Sequence, residues 1–400
     1  MIDKTIKIYN GKVISPLRVI DQATVIIKNG KIDGVYQQDI EVPGAISIDA
    51  NGGYVSPGFI DIHIHGGGGA DFMDGQVEAF LKVAETHVQF GTTAMVATTL
   101  TSDKEHLLNT LNIYEEAKQK NKKGALFLGL HIEGPYFSMN QRGAQDPRFI
   151  RDPDPTEYLE ILNASKSIVR WSAAPEKEGA IEFGRCLRKH GVIPSIAHTD
   201  AIYEEVVEAF ENGYTLATHL YSAMSGVTRK NAFRYAGVIE SAFIIDEMDV
   251  EIIADGVHLP APLLKLVYKI KGPDKIALIT DAMRGAAMPP GPSILGSLQD
   301  GLPVIIEDDV AKLPDRTSFA GSVATADRLI KTMVNLADVP LVEAVKMLSY
   351  TPARIMGVLD SKGSISAGKD ADIVIFDESF TIQHTIVGGR ILYEKASAGA

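Results

Sequence analysis

The chain has 400 residues, 45% hydrophobic and 22% charged, enough for a large core and more than one ordinary domain. Its formal net charge of −12 argues against nucleic acid as a partner, since binding a phosphate backbone requires a basic face. The single cysteine, Cys186, excludes an internal disulfide and a multi-cysteine zinc site, and no run reaches the ~18 apolar residues of a membrane span.

The opening Met1-Ile2-Asp3-Lys4 carries no signal-peptide core, so a reducing, cytoplasmic setting is expected. Residues 1–55 then read as all-β. Thr5 to Tyr9, Lys12 to Ile14, Ala23 to Lys28 and Lys31 to Tyr36 alternate or carry β-branched runs, with Asn10-Gly11 and Asn29-Gly30 as hairpin turns between them. The end of the chain repeats the pattern, with a strand from Asp372 to Phe376 and a hairpin turning at Gly388-Gly389. Residues 1–55 and 361–400 are therefore expected to build one small discontinuous β-sandwich domain; two unrelated β caps are the alternative.

Between them, residues 56–360 alternate short apolar strands with helical stretches. Eight strands are expected: Phe59 to His63, Thr93 to Thr98, Leu126 to His131, Ile168 to Ala173, Val192 to Ala197, Leu216 to His219, Val250 to Ile253 and Ile276 to Thr280. Helical patterns intervene, as at Gln76 to Phe90, Lys104 to Lys118 and Ala180 to His190. The fold class is α/β, a (β/α)8 TIM-like barrel with the terminal β domain beside it. A doubly wound open sheet competes, but no dinucleotide fingerprint follows the first strand. Residues 284–320, punctuated by Pro289-Pro290-Gly291-Pro292, read as a loop or hairpin inserted after strand eight.

The chemistry is signalled by histidines at strand ends. Pro57-Gly58-Phe59-Ile60-Asp61-Ile62-His63-Ile64-His65 alternates as a strand and closes in His-x-His, so the two imidazoles share one face. A solvated pair is the plain alternative, but the flanking apolar residues argue for a buried strand, and buried imidazoles need partners. His131, His198, His219 and His258 also fall at or just past strand ends, where a barrel collects its catalytic groups. Glu133, two residues after His131, shares its side, and Asp281 ends strand eight. The alternatives are a surface turn acid for Glu133 and a helix cap for Asp281. His87, His106, His190 and His384 are read as solvated or helix-end residues. Imidazoles with a carboxylate make a divalent-metal site, and a second carboxylate kept free can serve as general base. Metal-assisted hydrolysis of a C–N bond or an ester is the leading reaction class.

The residues resemble the N-acetylglucosamine-6-phosphate deacetylase family of the amidohydrolase superfamily. The likeness rests on the ordered series His131-Ile132-Glu133-Gly134-Pro135, Ala197-His198-Thr199-Asp200, Thr218-His219-Leu220-Tyr221, Asp255-Gly256-Val257-His258, Thr280-Asp281-Ala282, Ala320-Gly321-Ser322 and Gly368-Lys369-Asp370-Ala371-Asp372, and spans nearly the whole chain. It implies that Glu133, His198 and His219 are the main metal ligands. His63 and His65 would add a second site with Glu133 bridging, giving one or two divalent ions per subunit, zinc or iron first. Asp281 would be the base and then the acid. Substrate contacts would come from Ala144, Gln145, Ser222, Ala223, His258 and Ser322, with Arg234 reaching the phosphate, often across the interface of a homodimer.

Two departures from the family pattern stand out. Ser222-Ala223 replaces the usual Asn-Ala, and Arg234-Tyr235-Ala236-Gly237 replaces an Arg-Glu-Pro-Gly run and is displaced by about four residues. They bear on the phosphate and the identity of the sugar, not on the amide chemistry. The implied substrate is N-acetylglucosamine 6-phosphate. The galactosamine isomer, an unphosphorylated sugar, a cyclic amide and a catalytically inactive scaffold are the alternatives. The cyclic-amide branch would bridge with a lysine after strand four, where this chain has Ala173-Ala174-Pro175-Glu176.

Overall fold

The computed structural model describes residues 5–396; Met1-Ile2-Asp3-Lys4, read above as lacking a signal-peptide core, lies outside them. Eight parallel strands, Phe59–Ile64, Thr92–Thr98, Leu126–Glu133, Ile168–Ala173, Ile193–Ile196, Leu216–Ala217, Asp249–Ile253 and Ile276–Ile279, lie side by side in chain order. Both faces of such a sheet are covered, which is why its strands read as apolar runs rather than alternations: every residue of Phe59–Ile64 and of Thr92–Thr98 is buried. No ladder joins the last strand to the first. Side-chain bonds and isolated backbone bonds near the strand ends close the ring instead. The Asp61 carboxylate accepts from Thr280 Oγ1 and, at 3.2 Å, from His63 N, while Asp281 N donates to His63 O at 2.9 Å.

The connecting helices start where the sequence caps them. Asp103 accepts from His106 N ahead of Lys104–Lys120, and Asp154 accepts from Thr156 N and Glu157 N, with Pro155 opening Pro155–Ala164. None of the helices among the described residues is long and apolar enough to cross a membrane.

Both ends of the chain meet in one further sheet, ordered Arg390–Glu394, Ile382–Val387, Ile373–Phe376, Tyr54–Pro57, Thr5–Ile14, Val19–Lys28 and Lys31–Tyr36. Thr5–Ile14 bends at bulges around Gly11. Its first half pairs with Ile46–Asp49 and its second with Tyr54–Pro57, so a continuous sheet folds over its own core of Ile6, Ile8, Val25, Ile373 and Ile375.

The insert after strand eight exceeds the expected loop or hairpin. Gly291–Leu295, Leu302–Glu307, Val310–Lys312 and Phe319–Ser322 form a four-stranded antiparallel flap. It has its own small core of Met283, Leu295, Val304, Ile306 and Ala311, packed against Leu100 and Ala144. The flap roofs the C-terminal end of the barrel.

Candidate active site

Five side chains converge at that end. Glu133 is the last residue of its strand, His63 lies within the first strand, and His65, His198 and His219 follow within two residues of theirs. The Nε2 atoms of His63, His198 and His219 stand 3.4, 3.5 and 3.1 Å from Glu133 Oε1, and His65 Nε2 stands 3.4 Å from Oε2. Asp281 Oδ1 is 3.1 Å from His65 Nε2 and 3.5 Å from His63 Nε2. His198, His219 and Asp281 all adopt left-handed backbone, at φ 48°, 32° and 48°. L-residues rarely accept that conformation; it turns each side chain inward off the strand end, and such strain clusters at functional sites. Gly134, at φ 86°, lets the chain leave Glu133, because a Cβ there would stand 2.3 Å from Thr101 Oγ1.

A second ring of groups fixes the first. Gln145 Nε2 donates to Glu133 Oε2 at 2.8 Å. His65 Nδ1 faces Thr98 O at 3.2 Å and His198 Nδ1 faces Gln141 O at 2.8 Å. A carbonyl only accepts, so Nδ1 carries the proton in both rings and Nε2 turns a lone pair to the centre. Asp200 accepts from Ser138 Oγ and Gln141 Nε2, which holds the loop bearing Gln145 over the site.

Among the described residues, two overlapping groups could hold a metal ion: His63, His65 and Glu133, and Glu133, His198 and His219, with ligand atoms within 4.8 Å of one another in each. The electrostatics fit such a guest. Burial alone pushes the His63 imidazole down, yet the charges of Glu133 and Asp281 override it and hold it up to about 10. The cluster therefore demands positive charge, and its nitrogen and oxygen donors suit zinc, iron, manganese or cobalt. Burial opposes charge on Asp281 too, but His63 and His65 outweigh it and draw its carboxyl below the ordinary value. Asp281 is thus a carboxylate at neutral pH, able to take a proton.

Beneath the cluster lies a pair that the sequence reading missed. Arg170 in strand four and Glu251 in strand seven, both fully buried, form a two-pronged ion pair; Arg170 also donates to Ser195 Oγ at 2.9 Å and to Thr218 Oγ1 at 2.6 Å. Glu251 Oε2 stands 3.5 Å from His63 Nδ1. That separation makes it an electrostatic support for the ring rather than a hydrogen bond. A charged residue inside each apolar strand run was the available signal, since neither can be buried unpaired. His131, counted with the site histidines, turns into the barrel, where its Nε2 meets Ser172 Oγ at 2.6 Å. His87 is no solvated residue: it is fully buried and donates to Gly66 O at 2.9 Å, and burial pushes it down to about 4.

Above the cluster opens a cavity of 590 Å³. Ala144, Gln145, Ser222, Ala223 and His258 line it, and His258 is oriented by Asp255 Oδ2, 2.8 Å from its Nδ1. Three expectations change in detail. Gln145 is spent on Glu133 and on Thr101 N. The Ser222 amide is taken by His219 O, so it offers no donor to a ligand. Ser322 lies in the wall: its Oγ donates to Thr280 O, its N to Asp281 O, and its O accepts from Met283 N. It anchors the flap strand to Asp281 and is not among the residues lining the cavity. Arg234 is not brought to this cavity. It sits on an exposed two-stranded hairpin, Thr228–Lys230 with Phe233–Tyr235.

The sequence model of the amidohydrolase family matches residues 54–392. The chain is 35% identical over 376 residues to the N-acetylglucosamine-6-phosphate deacetylase of Lysinibacillus sphaericus, covering 93% of each. It is 31% identical over 361 residues to the N-acetylgalactosamine-6-phosphate deacetylase of Escherichia coli O157:H7, covering 90% of this chain and 93% of that one. A point variant of the N-acetyl-D-glucosamine-6-phosphate deacetylase of Mycobacterium smegmatis, solved with N-acetyl-D-glucosamine-6-phosphate, superposes with a TM-score of 0.89 at 27% identity, covering 97% of this chain and 99% of that one.

Proposed function

The chain belongs to the N-acetylglucosamine-6-phosphate deacetylase family of amidohydrolases, and from that membership and the site above we propose that it hydrolyses N-acetylglucosamine 6-phosphate to glucosamine 6-phosphate and acetate. The observation that carries this reading is Glu133 ringed by His63, His65, His198 and His219, with the Asp281 carboxylate beside them on the floor of a sugar-sized cavity.

Glu133, His198 and His219 would hold one divalent ion, and His63 and His65, sharing Glu133, a second. Such an ion lowers the pKa of a water and polarises the amide carbonyl. The protein does the rest. Gln145 and the backbone carbonyls of Thr98 and Gln141 keep the ligand atoms aimed. Asp281, ionised by its histidine neighbours, takes one proton from the attacking water and gives it to the nitrogen as the C–N bond breaks. One water and one amide become acetic acid and an amine, released as acetate and an ammonium, so atoms and charge balance. His258, its Nδ1 held by Asp255, presents Nε2 to the sugar end of the cavity.

Zinc or iron are the leading ions. A homodimer in the cytoplasm completes the reading: Val227 beside the Thr228–Tyr235 hairpin and Phe233 on it, 59% and 72% exposed, would be covered by a second copy, toward whose cavity Arg234 would then point. The 31% identical galactosamine-type relative supports the isomeric sugar phosphate as a second reading. The test is acetate release from the 6-phosphates of N-acetylglucosamine and N-acetylgalactosamine and from both unphosphorylated sugars. The glucosamine phosphate should be hydrolysed fastest. A preference for the galactosamine phosphate would move the assignment to that isomer, and no acetate from any of the four would end it.

A further inference from the structure

A sugar phosphate brings a dianion to the far end of a cavity whose floor is already anionic. That end therefore calls for cations; Arg234 of the same chain stands outside on the exposed hairpin, where on the dimer reading above it would serve a second copy's cavity. Among the described residues, the lysines and arginines lining the cavity are two, Lys312 and Arg316, both from the flap.

Their placement is built into the flap. Ser322 N and O tie the bottom of strand Phe319–Ser322 to Asp281 and Met283, so this strand rises directly from the reacting end. At its top, Phe319 pairs with Lys312 across the antiparallel ladder and packs its ring on His258, with centroids 4.7 Å apart. Lys312 is thereby set beside the His258 side of the cavity, and Arg316 lies in the turn between the two strands. The two cations share one carboxylate: Glu307 is 3.1 Å from Arg316 Nε and 3.5 Å from Lys312 Nζ, and Asp308 is 2.6 Å from Lys312. Glu307 and Asp308 are exposed to solvent by 34% and 78%, so their pairs with the two cations are screened and weak, and a phosphate with three acceptor oxygens can compete for these cations.

We propose that Lys312 and Arg316 seat the substrate's phosphate from the chain's own flap, with Glu307 competing for them and weakening their grip on the anion. The proposal rests on the substrate reading above, and the flap's cations would act beside any contribution from Arg234 of a second copy.

The metal-loaded protein should be titrated calorimetrically with glucosamine 6-phosphate and with glucosamine, neither of which turns over. Wild type should prefer the phosphate strongly. Lys312→Ala and Arg316→Ala should each cut that preference roughly tenfold or more, the loss expected for a charged hydrogen bond. Lys312→Arg should retain most of it. Glu307→Gln separates binding from flap integrity. If the cations seat the phosphate, removing their competing carboxylate keeps or raises the preference. If they only staple the flap, Glu307→Gln lowers it as the cation variants do, and the proposal fails. It fails equally if the double variant Lys312→Ala/Arg316→Ala keeps the wild-type preference, or if wild type shows none. Selective binding of glucosamine 6-phosphate through these residues, without acetate release from the acetylated sugar phosphates, would instead overturn the deacetylase reading and leave the seat standing.

Discussion

Arg170 and Glu251 face each other across the barrel interior, both fully buried, directly beneath His63. A buried pair of this kind is costly to form and far more costly to break, because truncating one partner strands the other charge in a medium that cannot solvate it. Arg170→Ala should therefore destabilise the fold by about 3–5 kcal/mol. Chemical denaturation would check this, with Arg170→Met/Glu251→Leu as the control that removes both charges. The double variant should recover much of the loss; equal losses would assign the effect to packing.

Gln145 spans Glu133 Oε2 and Thr101 N. Removing a group that orients a ligand typically lowers metal affinity about 10–100-fold. Gln145→Ala should do so in a chelator competition, read as bound metal and independent of turnover. Unchanged affinity would return Gln145 to a purely substrate-facing role.

His87 gives a pH prediction. Its folded pKa of about 4 lies below the ordinary 6.5, so between these values the unfolded chain binds more protons than the native one. Stability from the neutral, buried imidazole is fully present above pH ~6.5 and is lost as pH falls toward ~4. The loss is bounded at roughly 3 kcal/mol, at about 1.36 kcal/mol per unit. Unfolding free energies of wild type and His87→Gln, measured across that window, should show a shallower acid slope in the variant. Parallel slopes would mean that other groups carry the acid sensitivity.

Asp281→Asn should fold and keep its metal while turnover falls by about 10²–10⁴, since an amide cannot accept the water's proton. Metal content and acetate release measured on one preparation would decide it. Near-normal turnover would reduce Asp281 to a link between strand eight and the flap.

Much of this site was legible because a barrel strand writes its function at its end. His63 and His65 at spacing two, and Glu133, His198, His219 and Asp281 after apolar runs, needed only the eight-strand count to be brought together. What the sequence concealed was inward-facing polarity. Arg170 and Glu251 sit inside runs read as plain buried strand, although two opposite charges in such runs point to each other. His87 follows Phe80, Val83 and Ala84 on the buried stripe of Val77–Val88, so helical spacing alone would have turned it inward. The flap was hidden by Pro289-Pro290-Gly291-Pro292, which reads as turn and masks the strand that starts at Gly291. Arg234 marks a different limit: its motif resembles a phosphate contact often made across a dimer interface, and folding leaves it outside its own chain's cavity, so its reach depends on a second copy.

Metal-dependent deacetylation of a hexosamine 6-phosphate by this cluster is tested most directly by acetate release as metal is stripped and restored. Wild type incubated with N-acetylglucosamine 6-phosphate should yield acetate and glucosamine 6-phosphate in equal amounts. The rate should fall with bound metal under chelation and return when a divalent ion is added back, whereas Glu133→Ala should not recover. Full turnover by metal-free protein, or no acetate after metal is restored, would contradict the account.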